Sequence, residues 1–135
     1  GTPEGALRAI PPGLRALSLH VSDSAGVVGL LRPGLKVDVQ VVRALGPEAE
    51  LRTVLQNVEV LNLASAEGGR PVVNVLLKPE DADLAGLADS TARVRLLLRN
   101  PEDQETTKRP SVWLPLRPSP SELRGQNQTP QAARH

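Results

Sequence analysis

Ser18 and His20 lie two positions apart where apolar and polar residues alternate, so a strand would place both side chains on one face. A serine nucleophile needs a neighbouring base, and that base must be oriented by a third group. The sequence offers no third group at a defined spacing, which favours a solvent-facing histidine over a catalytic pair. The other histidine, His135, is the last residue of the chain. We therefore predict no catalytic residues.

Three acids, Glu80, Asp81 and Asp83, are close enough in sequence to suggest a cation site. Their spacing does not match an EF-hand calcium loop, and acids are expected at a helix start because they complement the helix dipole. The chain has no cysteine, which excludes disulfides, cysteine-ligated zinc and thiol nucleophiles. Its glycine pairs lack the spacing of a dinucleotide-binding or phosphate-binding loop. We predict neither a metal site nor a cofactor.

Arg93, Arg95 and Arg99 form a row with a defined direction. Alternate residues of a strand project to the same side, so these arginines are predicted to face outward, and Val94, Leu96 and Leu98 inward. Such a row suits an anionic polymer or an acidic partner. A solvated sheet face that discourages edge aggregation explains the row equally well.

Trp113 is the only aromatic residue of the chain. It lies in an apolar island at residues 112–116, within a region otherwise rich in Pro, Ser, Gln, Thr and charge. The island either docks as an edge strand, where proline is tolerated, or serves as a short linear motif for a partner. The predicted partner-binding residues are therefore Arg93, Arg95, Arg99 and Trp113.

The composition excludes several classes of protein. A chain of 135 residues is long enough for one domain with a buried core, and without Phe, Tyr or Met that core must consist of Leu and Val. The net charge of +1 and the single aromatic residue argue against nucleic-acid binding, which needs a basic surface and stacking platforms. The longest apolar runs are too short to span a bilayer.

The apolar periodicity predicts an α+β fold, mostly β, in which a compact antiparallel or mixed sheet of about six strands accompanies one helix. The helix is predicted over 79–88, where Pro79 suits the first helical position. A type II turn is predicted at Pro33-Gly34, before a strand with Val37, Val39 and Val41 inward and Lys36, Asp38 and Gln40 outward. The alternation breaks near Gln56-Asn57, which indicates a β-bulge or a strand buried on both faces.

Several segments together resemble the CpaB/RcpC family of Flp (tight-adherence, type IVb) pilus assembly proteins. Their order and spacing are preserved over roughly residues 7–100. The segments that carry the resemblance are 11–19, the run 26–34 leading into Val37-Asp38-Val39, 53–61, the helix start 79–82, and 96–100.

The resemblance implies a periplasmic protein that is anchored to the inner membrane in its full-length form and works beside the outer-membrane secretin or other pilus assembly proteins. It implies no catalytic residues. Residues 1–34 are expected to continue from a truncated SAF (β-clip) region, and residues 35–100 to form a β-rich RcpC-like domain. Residues 101–135 are expected to form a flexible Pro-rich tail, because their composition buries too little apolar area to offset the ordering entropy.

The leading hypothesis is therefore a non-catalytic assembly or interaction module, with homo-oligomers among its expected states. One rival is a SAF-related module that binds glycan or peptidoglycan, against which the scarcity of aromatic residues argues. The other rival is a small enzyme, for which the sequence offers only Ser18 and His20.

Overall fold

The computed structural model describes residues 10–115, so predictions for the tail from Leu116 onward lie outside the described residues. Six strands and one α-helix follow one another along the chain, with a short 3-10 turn at Val28–Leu30. In chain order they are β1 (Arg15–His20), β2 (Lys36–Leu45), β3 (Glu48–Glu67), β4 (Arg70–Leu77), α1 (Pro79–Thr91), β5 (Arg93–Leu98) and β6 (Val112–Pro115). The predicted fold class is confirmed.

All six strands belong to one antiparallel sheet, in the order β1-β4-β3-β2-β5, and β6 pairs with the first residues of β3. The 20-residue strand β3 is long enough to pair with β2 and β6 near its start and with β4 near its end. A single parallel bridge joins Val21 to Val94, where the Ser22 amide donates to the Val94 carbonyl at 2.7 Å. This bridge brings the ends of β1 and β5 together, so the sheet curls around its core.

The core on the inner face of the sheet is entirely aliphatic, as the composition requires. Val37, Val39 and Val41 face it from β2, and Val94 and Leu96 face it from β5, which confirms both predicted inner faces. Helix α1 lies against this face and contributes Ala85 and Ala88. Small residues at these positions let the helix approach the sheet closely.

The turn before β2 has the predicted type II geometry. Gly34 occupies the third position with φ of +91°, and the Leu35 amide donates to the Arg32 carbonyl at 3.1 Å. Glycine suits this position because it carries no Cβ. Two backbone hydrogen bonds connect the turn to β3. The Gly34 N–H donates to the Val60 carbonyl, and the Val60 N–H donates to the Leu35 carbonyl.

The predicted irregularity at Gln56-Asn57 is a β-bulge. The register of β2 against β3 shifts on both sides of Val39, and Asn57 has φ of +60°. Asparagine tolerates this left-handed conformation better than most residues. The Asp38 carboxylate accepts a hydrogen bond from the Asn57 amide at 3.1 Å, which satisfies a donor that the bulge removes from the ladder.

Helix α1 begins at Pro79 as predicted but continues to Thr91, three residues past the predicted end at Ala88. The hydroxyls of Ser90 and Thr91 donate to the carbonyls of Gly86 and Leu87, both at 2.7 Å, which satisfies acceptors in the last turn. The longer helix places Asp89 beside β1.

Candidate functional site

Ser18 and His20 do not form a hydrogen bond with each other. The Ser18 hydroxyl donates to the side-chain oxygen of Asn74, whose amide in turn donates to Asn62 at 2.7 Å. The prediction of a solvent-facing His20 is wrong in part, because Asp89 accepts its backbone N–H at 2.7 Å and lies 2.9 Å from its Nδ1. The half-buried histidine thus links β1 to α1. Within residues 10–115 no group of three or more His, Asp or Glu is arranged to hold a metal ion.

The three predicted arginines share the outer face of β5, but they have different environments. Arg93 is exposed and Arg95 is half-buried, whereas Arg99 is buried with 9 % of its surface exposed. The prediction that Arg99 faces solvent is therefore wrong. Its position on the outer face is right, but the chain folds back over it.

Arg99 forms a buried ion pair with Asp38, the residue that the alternation of β2 predicts to be exposed. Arg99 Nη1 donates to Asp38 Oδ1 at 2.7 Å, and only 6 % of Asp38 is exposed. This hydrogen bond raises the pKa of Arg99 above its ordinary value, against the opposing effect of burial. Arg109 Nη1 lies 3.6 Å from the second Asp38 oxygen. Asp38 thus contacts Asn57 at the bulge, Arg99 just after β5, and Arg109 in the segment that follows.

Residues 100–111, here called the cover segment, cross the outer face of the sheet and bury this ion pair. Arg99 donates to the carbonyls of Asp103 and Glu105 inside the segment. Gln56 exchanges two hydrogen bonds with the backbone of Thr107, at 2.7 and 3.1 Å. Through these long-range contacts the cover segment shields the outer face of β2 from solvent. This explains why Asp38 is buried.

Beyond the cover segment, the outer face opens into a groove with a volume of about 330 Å³, here called the outer groove. Strand pairing aligns one row of residues from β5 to β6, namely Arg93, Val42, Leu51 and Val112. Arg95 and Leu114 line the same groove. Two of the predicted partner-binding arginines therefore lie beside the apolar island of the chain.

Neither Arg93 nor Arg95 has a carboxylate within 4.0 Å in the part of the chain that the structure describes. Among residues 10–115, the buried Nε of Arg95 has no acceptor, and the side-chain oxygen of Gln40, which is paired with Arg95, has no donor. A buried donor without an acceptor costs free energy, and Arg95 bears this cost on the strand that carries both arginines of the groove.

Trp113 lies on the opposite face of β6 from the outer groove. Residues directly opposite each other in an antiparallel pair share a face of the sheet. Val112 is opposite Leu51 in the row that lines the groove, so the next pair, Trp113 and Glu50, projects to the other face. The structure therefore separates Trp113 from Arg93 and Arg95. The predicted apolar island does form an edge strand, β6, and this alternative is confirmed through Pro115.

Glu50 is a buried acid that the sequence pattern does not reveal. Its carboxylate accepts hydrogen bonds at 3.0 Å from Arg43, which is directly opposite on β2, and from Arg52, two residues along β3. Burial raises the pKa of Glu50, but hydrogen bonds from Arg43 and Ser111 and the charge of Arg52 outweigh it, so the pKa is lowered from 4.5. Arg52 also donates to Ser111, which connects this cluster to the start of β6.

We predict that the stabilising effect of Glu50 depends on pH. Because its folded-state pKa is lowered, this effect is present above the unfolded value of 4.5 and is lost as the pH falls through the folded value. The difference in unfolding free energy between wild type and Glu50→Gln should therefore shrink as the pH falls below about 4.5 in urea titrations. Glu48→Gln, at an exposed site on the same strand, is the matched control. A difference that stays constant with pH contradicts this role.

These features define a small, curled, β-rich domain with an arginine-lined groove on the outer face of its sheet. The model of one protein family, described as Flp pilus assembly protein RcpC/CpaB, matches residues 5–99, and the chain belongs to this family. The predicted resemblance is confirmed. No curated protein and no solved structure matches the chain. Among the described residues, no helix combines the length and apolar character needed to cross a membrane.

Proposed function

We propose that this chain is a non-catalytic assembly module of a Flp-type pilus secretion system. We infer that it works in the periplasm, with the full-length protein anchored to the inner membrane and in contact with the secretin or other pilus machinery. Family membership supports this proposal. So does the arrangement of Ser18 and His20, which hydrogen-bond to Asn74 and Asp89 and not to each other.

The observation that carries the proposal is the exposed apolar edge strand β6. It pairs with β3 along one edge, and its other edge has no partner strand among residues 10–115. Val112, Trp113 and Leu114 are 59 %, 48 % and 67 % exposed. Unpaired strand edges are templates for another chain, and exposed apolar residues at such an edge mark an interaction site.

The four predicted partner-binding residues take different parts in this proposal. Arg93 and Arg95 contact the partner from the outer groove, and Trp113 offers a second contact on the other face of β6. Arg99 acts as a positioning residue, because its contacts hold the cover segment that leads to β6. A homo-oligomer that pairs two copies through β6 is compatible with the same surface.

Affinity capture from cell envelopes of a bacterium that assembles this pilus tests the proposal. We expect the 135-residue chain to recover the secretin or another component of the pilus machinery, and Leu114→Asn to reduce the recovery. Leu87→Asn is the matched control, because Leu87 is a comparably exposed leucine on α1. Capture that recovers no pilus component, or recovery unaffected by Leu114→Asn, counts against the proposal.

A peptidoglycan-binding module remains the second candidate, and the exposure of Trp113 is the observation that favours it. An exposed indole offers one stacking surface for a sugar ring. Sedimentation with purified peptidoglycan separates the two candidates. Cosedimentation that disappears in Trp113→Ala supports the second, whereas a chain that stays in the supernatant supports the first.

A further inference from the structure

The outer groove has a cationic end and an apolar end, and this polarity points to a partner of defined chemistry. We propose that it binds an extended peptide segment that places carboxylate side chains at Arg93 and Arg95 and aliphatic side chains along the rest of the groove. This inference rests on the proposed function, since a protein of the pilus machinery would supply the segment.

The length of the groove follows from the pairing of the strands. The row Arg93, Val42, Leu51 and Val112 crosses four adjacent strands. With strands about 4.8 Å apart, the row is roughly 14 Å long, which matches four or five residues of an extended peptide at about 3.3 Å each. A short linear segment therefore fits the groove without needing a folded partner domain.

The cationic end lacks a counter-charge within the described residues. Arg93 and Arg95 project from the same side of β5, and the nearby carboxylate of Glu50 is occupied by Arg43 and Arg52. A guanidinium group binds a carboxylate with two parallel hydrogen bonds. An incoming carboxylate would supply the counter-charge that Arg93 and Arg95 lack among residues 10–115.

The apolar end selects against polyanions. Val42 is paired with Arg93, and Leu51, Val112 and Leu114 line the groove on the strands beyond it. The exposure of Leu114 leaves its side chain open to contact. A polyanion such as a nucleic acid would place charge along the whole groove, over residues that cannot pair with it. Aliphatic side chains beside one or two carboxylates match both ends.

Fluorescence polarisation with synthetic peptides tests the proposal. The probe is a labelled, end-blocked peptide of sequence Asp-Glu-Val-Leu-Val, and its isostere Asn-Gln-Val-Leu-Val is the control ligand. We expect the acidic peptide to bind at least about tenfold more tightly than the isostere, because a guanidinium group forms stronger hydrogen bonds with a carboxylate than with a neutral amide. Binding should weaken as salt is added.

Variants locate the binding site. Arg93→Gln/Arg95→Gln and Leu114→Asn should each lower the affinity for the acidic peptide about tenfold or more. Arg15→Gln is the matched control, because Arg15 is an exposed strand arginine whose side chain, among the described residues, bonds only the carbonyl of its neighbour Leu14. Arg93→Gln alone, at an exposed position, should also weaken binding, and it provides a test if the double variant does not fold.

Equal binding of the two peptides overturns the proposal, as does acidic-peptide binding that survives loss of both arginines. Arginine-dependent binding to anionic phosphatidylglycerol vesicles without peptide binding also overturns it. Peptide binding that fails while envelope capture succeeds rejects only this groove assignment. Capture that fails while the peptide binds rejects the proposed function and leaves the groove chemistry intact.

Discussion

Replacing Asp38 with alanine is expected to lower the free energy of unfolding by about 3–5 kcal/mol, the usual cost of removing one partner from a buried ion pair. Arg99 would remain buried without the carboxylate oxygen that lies 2.7 Å from its Nη1. The backbone N–H of Asn57 would also lose its acceptor. Because small domains are stable by only about 5–15 kcal/mol, this single change approaches the stability of the whole domain. Urea unfolding at constant pH measures the effect.

Two further variants separate the charge from the packing. Asp103→Asn removes an exposed partner of the same arginine and should cost less than about 1 kcal/mol. Asp38→Leu combined with Arg99→Met removes both charges and should be less destabilising than Asp38→Ala, since no buried charge is left alone. An Asp38→Ala variant within about 1 kcal/mol of wild type contradicts the proposed role of the ion pair.

Leu96→Ala is expected to lower the free energy of unfolding by about 2–5 kcal/mol, because it removes a fully buried side chain and leaves a cavity. Leu96 is 1 % exposed and lies on the inner face of β5, the strand that carries Arg93 and Arg95. The core contains no aromatic or methionine side chain that could move to fill the space. The same urea titration reports the loss.

Leu87→Ala is the matched control for this change. Leu87 is 62 % exposed on α1, and its truncation should change stability by no more than about 0.5 kcal/mol. Similar losses in the two variants would show that burial at Leu96 does not determine the stability of β5.

The sequence predicts those parts of the fold that depend on local chemistry. Pro33-Gly34 predicts its turn because only a few residue types adopt the required backbone angles, and the broken alternation near Asn57 predicts the bulge. The helix start follows from Pro79 and the acids after it. The helix extends three residues past the predicted end, because the hydroxyls of Ser90 and Thr91 satisfy carbonyls in the last turn.

The candidate site was predicted only in part. Arg93 and Arg95 were identified from their spacing on a strand. The burial of Arg99 and Asp38 was missed because it depends on the cover segment, whose polar composition gives no sign of contacts with a strand about sixty residues earlier. The pairing of Glu50 with Trp113 is equally distant in sequence, so neither the outer groove nor the position of Trp113 could be derived from local patterns.

The central claim is that the outer groove of this pilus assembly protein holds a segment of another component of the machinery. Site-specific photo-cross-linking tests it most directly, with a photoreactive amino acid at position 114 of the protein in cells that assemble the pilus. We expect a cross-link to the secretin or another pilus assembly protein that disappears when Arg93 and Arg95 are replaced by glutamine, and no such cross-link from position 87 on α1. Cross-links that are equal from both positions, or that persist without the two arginines, would contradict the account.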